Sequence, residues 1–453
     1  MTPTHQKRGR LVPRTAHCAR LVPALVGLSM AAGGCSRVID AVQVQSQDCR
    51  TRPSDPDCAP TPWPIPGHSA NSDPWIVSHH DVITQMSPRV LVLNFSNNAT
   101  SDAALQTAER QVAAIAEGSR YHGYSDPKAP VFLSYQIVRV VDLTDHGSPP
   151  PGWTFPSSSL LPVTPSGSFD PMALFTSPQL SKAYGFTDPT TPSRSLTMCE
   201  LFEQGVINEV WVEEGESGTR RLPLNLERKQ LYDANNVAVL DTFKPCVGGD
   251  TDCLQDLICG VTVRMAHLDP ARGPGCDLEV RGWGIEGMWD ALPAFAPTAA
   301  TFLNRDFETR YKVQFDGWEN LCDSTGVTTC VSYPTPTTAT GSYPNGTPWT
   351  INPFIPACGS TDFPPNARTR WDWTNNTNQV ESRCEHFGLG DGPNGADTLE
   401  LYTSDKIATA DQAFPDCGGG WQIYWRQSLP GLNNQAKTPD GAPMRNWWPL
   451  LFY

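Results

Sequence analysis

The stretch Ser195-Leu-Thr-Met-Cys-Glu-Leu-Phe-Glu-Gln-Gly-Val-Ile-Asn-Glu-Val-Trp-Val-Glu-Glu-Gly-Glu216 changes its period in the middle. Its first half places Met198, Leu201 and Phe202 on one helical face, and Gly205 supplies the stop, because glycine enters the left-handed C-cap without strain. Val206–Val212 then alternates apolar and polar residues around Trp211, the period of a strand. Immediately beyond stand Glu213, Glu214, Glu216 and Ser217 in a glycine-flanked loop. Ligands of open α/β sheets bind outside the carboxyl ends of the strands, so if the chain has an active site this loop is one candidate wall of it.

Working outward, Arg89–Phe95 is a β-branched apolar run of the kind a buried strand needs. Ser101–Gly118 reads as a helix capped by Ser101 or Asp102, with Leu105, Ala108, Val112 and Ile115 on one face. Val131–Leu143 returns to strand character, which completes a β-α-β unit. Ile258–Leu268 predicts another strand, and Gly284–Leu292 a helix limited by Pro293 and Pro297. Ser148–Pro192, rich in Pro, Ser and Thr, predicts an irregular excursion. The alternation points to an α/β fold, a β-α-β sheet core over residues 75–297. Residues 298–453, rich in Cys, Trp, Asn and Gly, are expected to pack as a disulfide-rich, loop-rich part of the same globule. The apolar end Asn446–Tyr453 must pack on something, and the core is the expected partner.

The first 34 residues read as an export address. Lys7, Arg8, Arg10, Arg14 and Arg20 precede the short apolar run Leu21–Met30, which is too short to span a bilayer. Ala32-Gly-Gly-Cys35 resembles a bacterial lipoprotein lipobox with Cys35 as the lipidated residue, although Ala32 stands where that motif usually has Leu. An ordinary signal peptide cut nearby is the alternative. Residues 35–74, rich in Pro, Asp and Ser, then predict an extended tether. The expected location is extracytoplasmic, at the outer membrane or cell surface, or secreted, with the membrane reached only through lipid. Removing five basic residues and no acidic ones takes the formal charge from −14 to −19, which argues against nucleic acid and anionic headgroups as partners.

Of the 14 cysteines, Cys18 leaves with the signal and Cys35 carries the lipid. The twelve that remain suggest up to six disulfides in an exported chain, with Cys49–Cys58 and Cys322–Cys330 as the expected local staples. No Cys-x2-Cys pair and no His at finger spacing support zinc.

Candidate chemistry is spread over several segments. Glu209, Glu213, Glu214 and Glu216 are the carboxylates available for acid/base work such as glycoside hydrolysis. A solvated acidic loop explains the same residues. Gly215-Glu-Ser-Gly-Thr lacks the glycine two residues after Ser217 that a nucleophile elbow needs. His79-His80-Asp81, read as extended, points its two rings to opposite faces. Asp391, Asn394, Asp397 and Glu400 are hard oxygen donors that suit calcium, and a turn with Asn and Asp bonding backbone amides accounts for them equally. Among 14 Trp, the clusters at Trp371 and Trp373, and at Trp421, Tyr424 and Trp425, suit stacking on sugar rings, as they also suit a core.

Glu209-Val-Trp-Val, Glu216-Ser217, Phe363-Pro-Pro-Asn-Ala367 and Gly420-Trp-Gln-Ile-Tyr-Trp-Arg-Gln427 together resemble a loosely defined group of uncharacterised secreted bacterial proteins. The resemblance spans most of residues 75–453 and implies an extracellular setting with no established activity. It also suggests His residues in relatives near the segment matching Asp277–Glu286, where this chain carries Glu279, Arg281, Trp283 and Glu286 instead. Two functions remain: a non-catalytic surface protein binding glycan or another envelope component through Trp, or a hydrolase of an extracellular polymer.

Overall fold

The computed structural model describes residues 49, 52, 54–71, 74–96, 99–144, 160–214, 225–230, 237, 246–247, 259–268, 272–295, 304–311 and 331–342, and 346–452. Cys35, the signal segment, Glu216, Ser217 and the Cys322–Cys330 pair lie outside them.

A short parallel pair opens the fold, β1 (Thr61–Trp63) with β2 (Ile83–Met86), joined through helix α1 (Pro74–His79). Trp63 is completely buried, so this segment belongs to the globule and the expected tether is shorter than residues 35–74. His79 and His80 sit at the end of α1, not on a strand.

The central sheet has six strands: β3 (Arg89–Asn94), β4 (Gln136–Asp142), β5 (Glu209–Glu213), β6 (Asn225–Arg228), β7 (Cys246–Val247) and β8 (Val263–Leu268). Their spatial order is β4-β3-β5-β8-β6-β7, with the first four parallel, β6 antiparallel to both of its neighbours, and β7 running with the first four. The predicted α/β class is the observed one. Helix α2 (Ser101–Gly118) connects β3 to β4 over one face, and helices α3 (Pro171–Thr176), α4 (Pro178–Tyr184) and α5 (Met198–Glu203) return the chain to β5 over the other. Both faces are therefore covered, and every residue of β5 is buried, so its alternation is not that of a half-exposed strand.

Local chemistry sets the boundaries. Thr100, one residue before the expected caps, accepts from the Ala103 amide at the start of α2. The buried stripe of α2 runs through Ala104, Ala108, Gln111 and Ile115, and Leu105 and Val112 lie only at its margin. Thr197 and Glu200 form a capping box on α5. At its other end the Gly205 amide bonds to Phe202 O and the Val206 amide to Leu201 O, the paired bonds of a Schellman motif around Gly205 at φ +61°. A Cβ on Gly205 would collide with Ser69. The expected irregular stretch contains α3 and α4, each begun by a proline after a capping residue, Asp170 and Ser177.

Helix α6 (Pro274–Phe295) starts ten residues before the predicted Gly284 and carries Pro293 in its last turn. Its first amides are capped from afar: Asp416 Oδ2 accepts from the Cys276 amide at 3.0 Å, and Cys276 is bonded to Cys417. With α2, α6 packs beneath helix α8 (Gly419–Gln427) of the C-terminal half, which follows the short helix α7 (Ala408–Ala413). A three-stranded sheet, β9 (Val331–Thr335), β10 (Thr338–Ser342) and β11 (Pro348–Ile351), and the pair β12 (Val380–Ser382) and β13 (Glu400–Tyr402) complete that half. One apolar cluster runs from Trp63 through Trp211 to Trp421, Trp447 and Leu451, so the two halves share a core. Disulfides Cys49–Cys58, Cys199–Cys259, Cys276–Cys417 and Cys358–Cys384 staple the described residues. No helix among them is long and apolar enough to cross a membrane. These properties are compatible with an extracytoplasmic protein.

Candidate functional site

The chain leaves β3 for β4 on one side and returns to β5 on the other, so the strand order switches between β3 and β5. A crevice outside the carboxyl ends of two such strands is where open α/β sheets bind ligands. At those strand ends lie Asn94 and Glu213, both fully buried, with Ser96 and Glu214 beside them. The Phe95 amide bonds to Glu213 O, Asn94 Oδ1 accepts from the Ser96 amide, and Asn94 Nδ2 donates to Ala99 O. Of the expected acidic wall, Glu213 and Glu214 are described and both are buried. Alternation keeps Glu209, Trp211 and Glu213 on the face toward α2 and α6.

Glu209 is not at that end. It opens β5 and is held by four donors: Tyr135 Oη at 2.5 Å, Trp211 Nε1 at 2.7 Å, Arg281 Nη1 at 3.0 Å and Arg264 Nη1 at 3.3 Å. Arg264 also pairs with Glu227 at 2.8 Å, Glu227 with Lys229, and the Arg281 guanidinium lies over the Trp211 ring. Burial alone would raise the Glu209 pKa, but Arg281, Arg264 and the two neutral donors outweigh it and leave it lowered. Burial pushes Lys229 down to about 8. A carboxylate this fully engaged has no face left for a substrate. Glu209 is therefore removed from the expected catalytic set: it is the counter-ion of a buried network.

The aromatic candidates divide. Trp421, Tyr424 and Trp425 on α8 are completely buried, which corrects the expectation that they form a stacking surface. Trp421 Nε1 donates to Ser360 O, Tyr424 Oη to Glu385, and Tyr402 meets Trp421 edge-on at 5.6 Å. Trp373 is half-buried against Gly418, with its N–H on Thr361 O. Trp371 is different: it is 48 % exposed. Its backbone sits at φ +66°, a left-handed conformation that bulky residues rarely adopt, so the two rings do not share an extended face.

Around Trp371 stand groups that no sequence motif marks. The Trp371 amide bonds to Asp362 O. The Arg370 guanidinium lies 4.5 Å from the Trp371 ring centroid and bonds to Asp362 Oδ2 at 2.7 Å. Trp283 Nε1 donates to Asp362 Oδ1 at 3.1 Å, and Arg272 approaches Glu279 at 3.9 Å. Both carboxyl groups are buried. Burial, then the Asp362 charge, pushes Glu279 up to about 7 despite Arg272 and Arg370. Glu279 is thus an acid whose proton can move near neutrality, close to an exposed aromatic ring.

The hard-oxygen loop resolves into turn bonds. Asp397 accepts from the Gly388 and Gly390 amides, and Asp391 from the Thr398 amide and His386. Glu400 accepts from Ser382 and the Glu385 amide, and Asn394 occupies a left-handed turn position. Compared with known proteins, the chain matches no family model, no curated protein and no solved structure.

Proposed function

We propose that this is an exported protein, lipid-anchored through Cys35 at the cell envelope, that binds a polysaccharide of its surroundings at the Trp371 surface. The observation that supports the reading is the half-exposed Trp371 ring, held in a left-handed backbone whose amide bonds to Asp362 O. A flat apolar ring with the Arg370 guanidinium over one face suits a pyranose stacked on the other. The disulfides, the acidic charge and the lipobox-like segment support the location.

A second reading, hydrolysis of the bound polymer, is favoured by one feature: Glu279 is buried close to Asp362, and burial and the Asp362 charge push its pKa up to about 7. In it Glu279 is the acid, in place of the strand residues, and Asp362, bonded to Arg370 and Trp283, is the charge that raises its pKa. The test of both is depletion of the protein on insoluble polysaccharides and peptidoglycan, with release of soluble product read from the same tubes. Trp371→Ala is expected to lose at least about tenfold in retention, the scale of one stacked aromatic. Retention unchanged in Trp371→Ala overturns the binding reading. Product release abolished by Glu279→Gln with retention intact establishes the second reading, and retention without release in the wild type leaves binding alone.

A further inference from the structure

At the entrance to the fold, α1 presents His79 to the Cys49–Cys58 pair. One donor atom from each of the three residues lies within 4.8 Å of the others, and all three are buried. The imidazole is fixed like a metal ligand. Its Nδ1 lies 2.8 Å from Trp75 O and 2.8 Å from Ser78 Oγ, and the ring stacks on Trp75 at 4.3 Å. A carbonyl only accepts, so Nδ1 carries the proton and Nε2 turns its lone pair to the other side, the tautomer that ligating histidines adopt. Nε2 is buried and makes no hydrogen bond. Asp57 Oδ2 stands 3.4 Å from it, another acceptor, on a side chain that is 68 % exposed. Two acceptors facing each other at that distance attract a cation between them.

We infer that Cys49, Cys58 and His79, with Asp57 as the exposed fourth donor, form a site for a thiophilic tetrahedral cation of the Zn2+ class when the disulfide is reduced. The step balances with a dithiol as reductant: it gives two hydrogens to the Cys49–Cys58 sulfurs and closes to its own cyclic disulfide, leaving two thiols. Binding the cation then releases both thiol protons. Tetrahedral Zn–S and Zn–N bonds put sulfur about 3.5 Å from nitrogen and the two sulfurs about 3.8 Å apart, separations that the three donors reach by side-chain rotation once the covalent bond is gone. Zinc was unexpected in the sequence because His79 follows Cys58 by 21 positions, and only the packing of α1 over Pro56–Cys58 brings the ring to the sulfurs.

The test measures Zn2+ uptake and Co2+ absorption by the full chain, oxidised and after mild reduction, in the wild type, His79→Gln and the pair Cys49→Ser with Cys58→Ser. Reduction opens other disulfides too, so the comparison between variants carries the result. Reduced wild type is expected to hold one more equivalent of Zn2+ per chain than either variant, and to show the tetrahedral Co2+ bands with thiolate charge transfer that both variants lack. Asp57→Asn is expected to weaken Co2+ binding about tenfold, as loss of a supporting donor does. Equal uptake and equal spectra in reduced wild type and the Cys49→Ser, Cys58→Ser pair overturn the inference, as does equal uptake by oxidised and reduced wild type. The serine pair removes only a local staple, so it remains informative if His79→Gln does not fold.

Discussion

Glu209→Gln is the substitution that most sharply separates a structural carboxylate from a catalytic one. The change keeps the side chain's shape and removes its charge. Tyr135 and Arg264 share Oε1 while Trp211 and Arg281 share Oε2, so the amide oxygen can keep only one of these donor pairs and the amide nitrogen faces the other, donor against donor. Arg264 keeps Glu227 at 2.8 Å, whereas Glu209 is the carboxylate of Arg281 among the described residues. Breaking a buried ion pair by removing one partner costs roughly 3–5 kcal/mol, because the other charge stays in a low dielectric. The expected loss for Glu209→Gln is therefore about 3–5 kcal/mol. In Glu209→Gln with Arg281→Met both charges of the pair are gone, and the double variant should lose about 1–3 kcal/mol less than the sum of the singles. The assay is urea unfolding followed by tryptophan fluorescence and far-UV circular dichroism, with coincident transitions required. A loss under about 1 kcal/mol, or strict additivity in the cycle, would refute the reasoning. The pH dependence has a fixed sign. The folded Glu209 pKa is lowered, so its contribution is present above the unfolded value, about 4.3, and is lost as pH falls through the folded one. Wild type should therefore lose more stability than Glu209→Gln on acidification below that range.

Glu279 should behave in the opposite way. Its folded pKa, about 7, lies above the unfolded value, so the folded state binds the extra proton and stability falls as pH rises from about 4 to about 7. Glu279→Gln should abolish that part of the decline in thermal melts taken across the range, and an unchanged pH profile would contradict the assignment. The Cys276–Cys417 bond closes 141 positions and pins the start of α6. Replacing both cysteines by serine should cost roughly 3–5 kcal/mol on loop-closure grounds, read as a lower melting temperature. A melt within about a degree of wild type would show that Asp416 and the core hold the helix without it.

What the sequence by itself determined was everything written in short-range periodicity. The helix at Ser101–Gly118, the strands at β3 and β5 and the glycine stop between α5 and β5 follow from residue spacing, since each is fixed by contacts within a few positions. The start of α6 was not legible, because its cap is Asp416, 140 positions away. Nor were α3 and α4, whose prolines signal helix starts and loops alike. The carboxylates near β5 were visible as residues, but their roles were not. A glutamate at a strand start looks the same whether it meets solvent or two guanidiniums, and only the arrival of Arg264 and Arg281 from β8 and α6 makes Glu209 a buried counter-ion. The same holds for the tryptophans, since composition does not separate a core ring from a platform. Tertiary packing buried Trp421 and Trp425 and left Trp371 half in water beside Glu279 and Asp362, groups that lie 83 positions apart in the chain. Burial and charge pairing are long-range quantities, so the fold decides them and the local sequence does not.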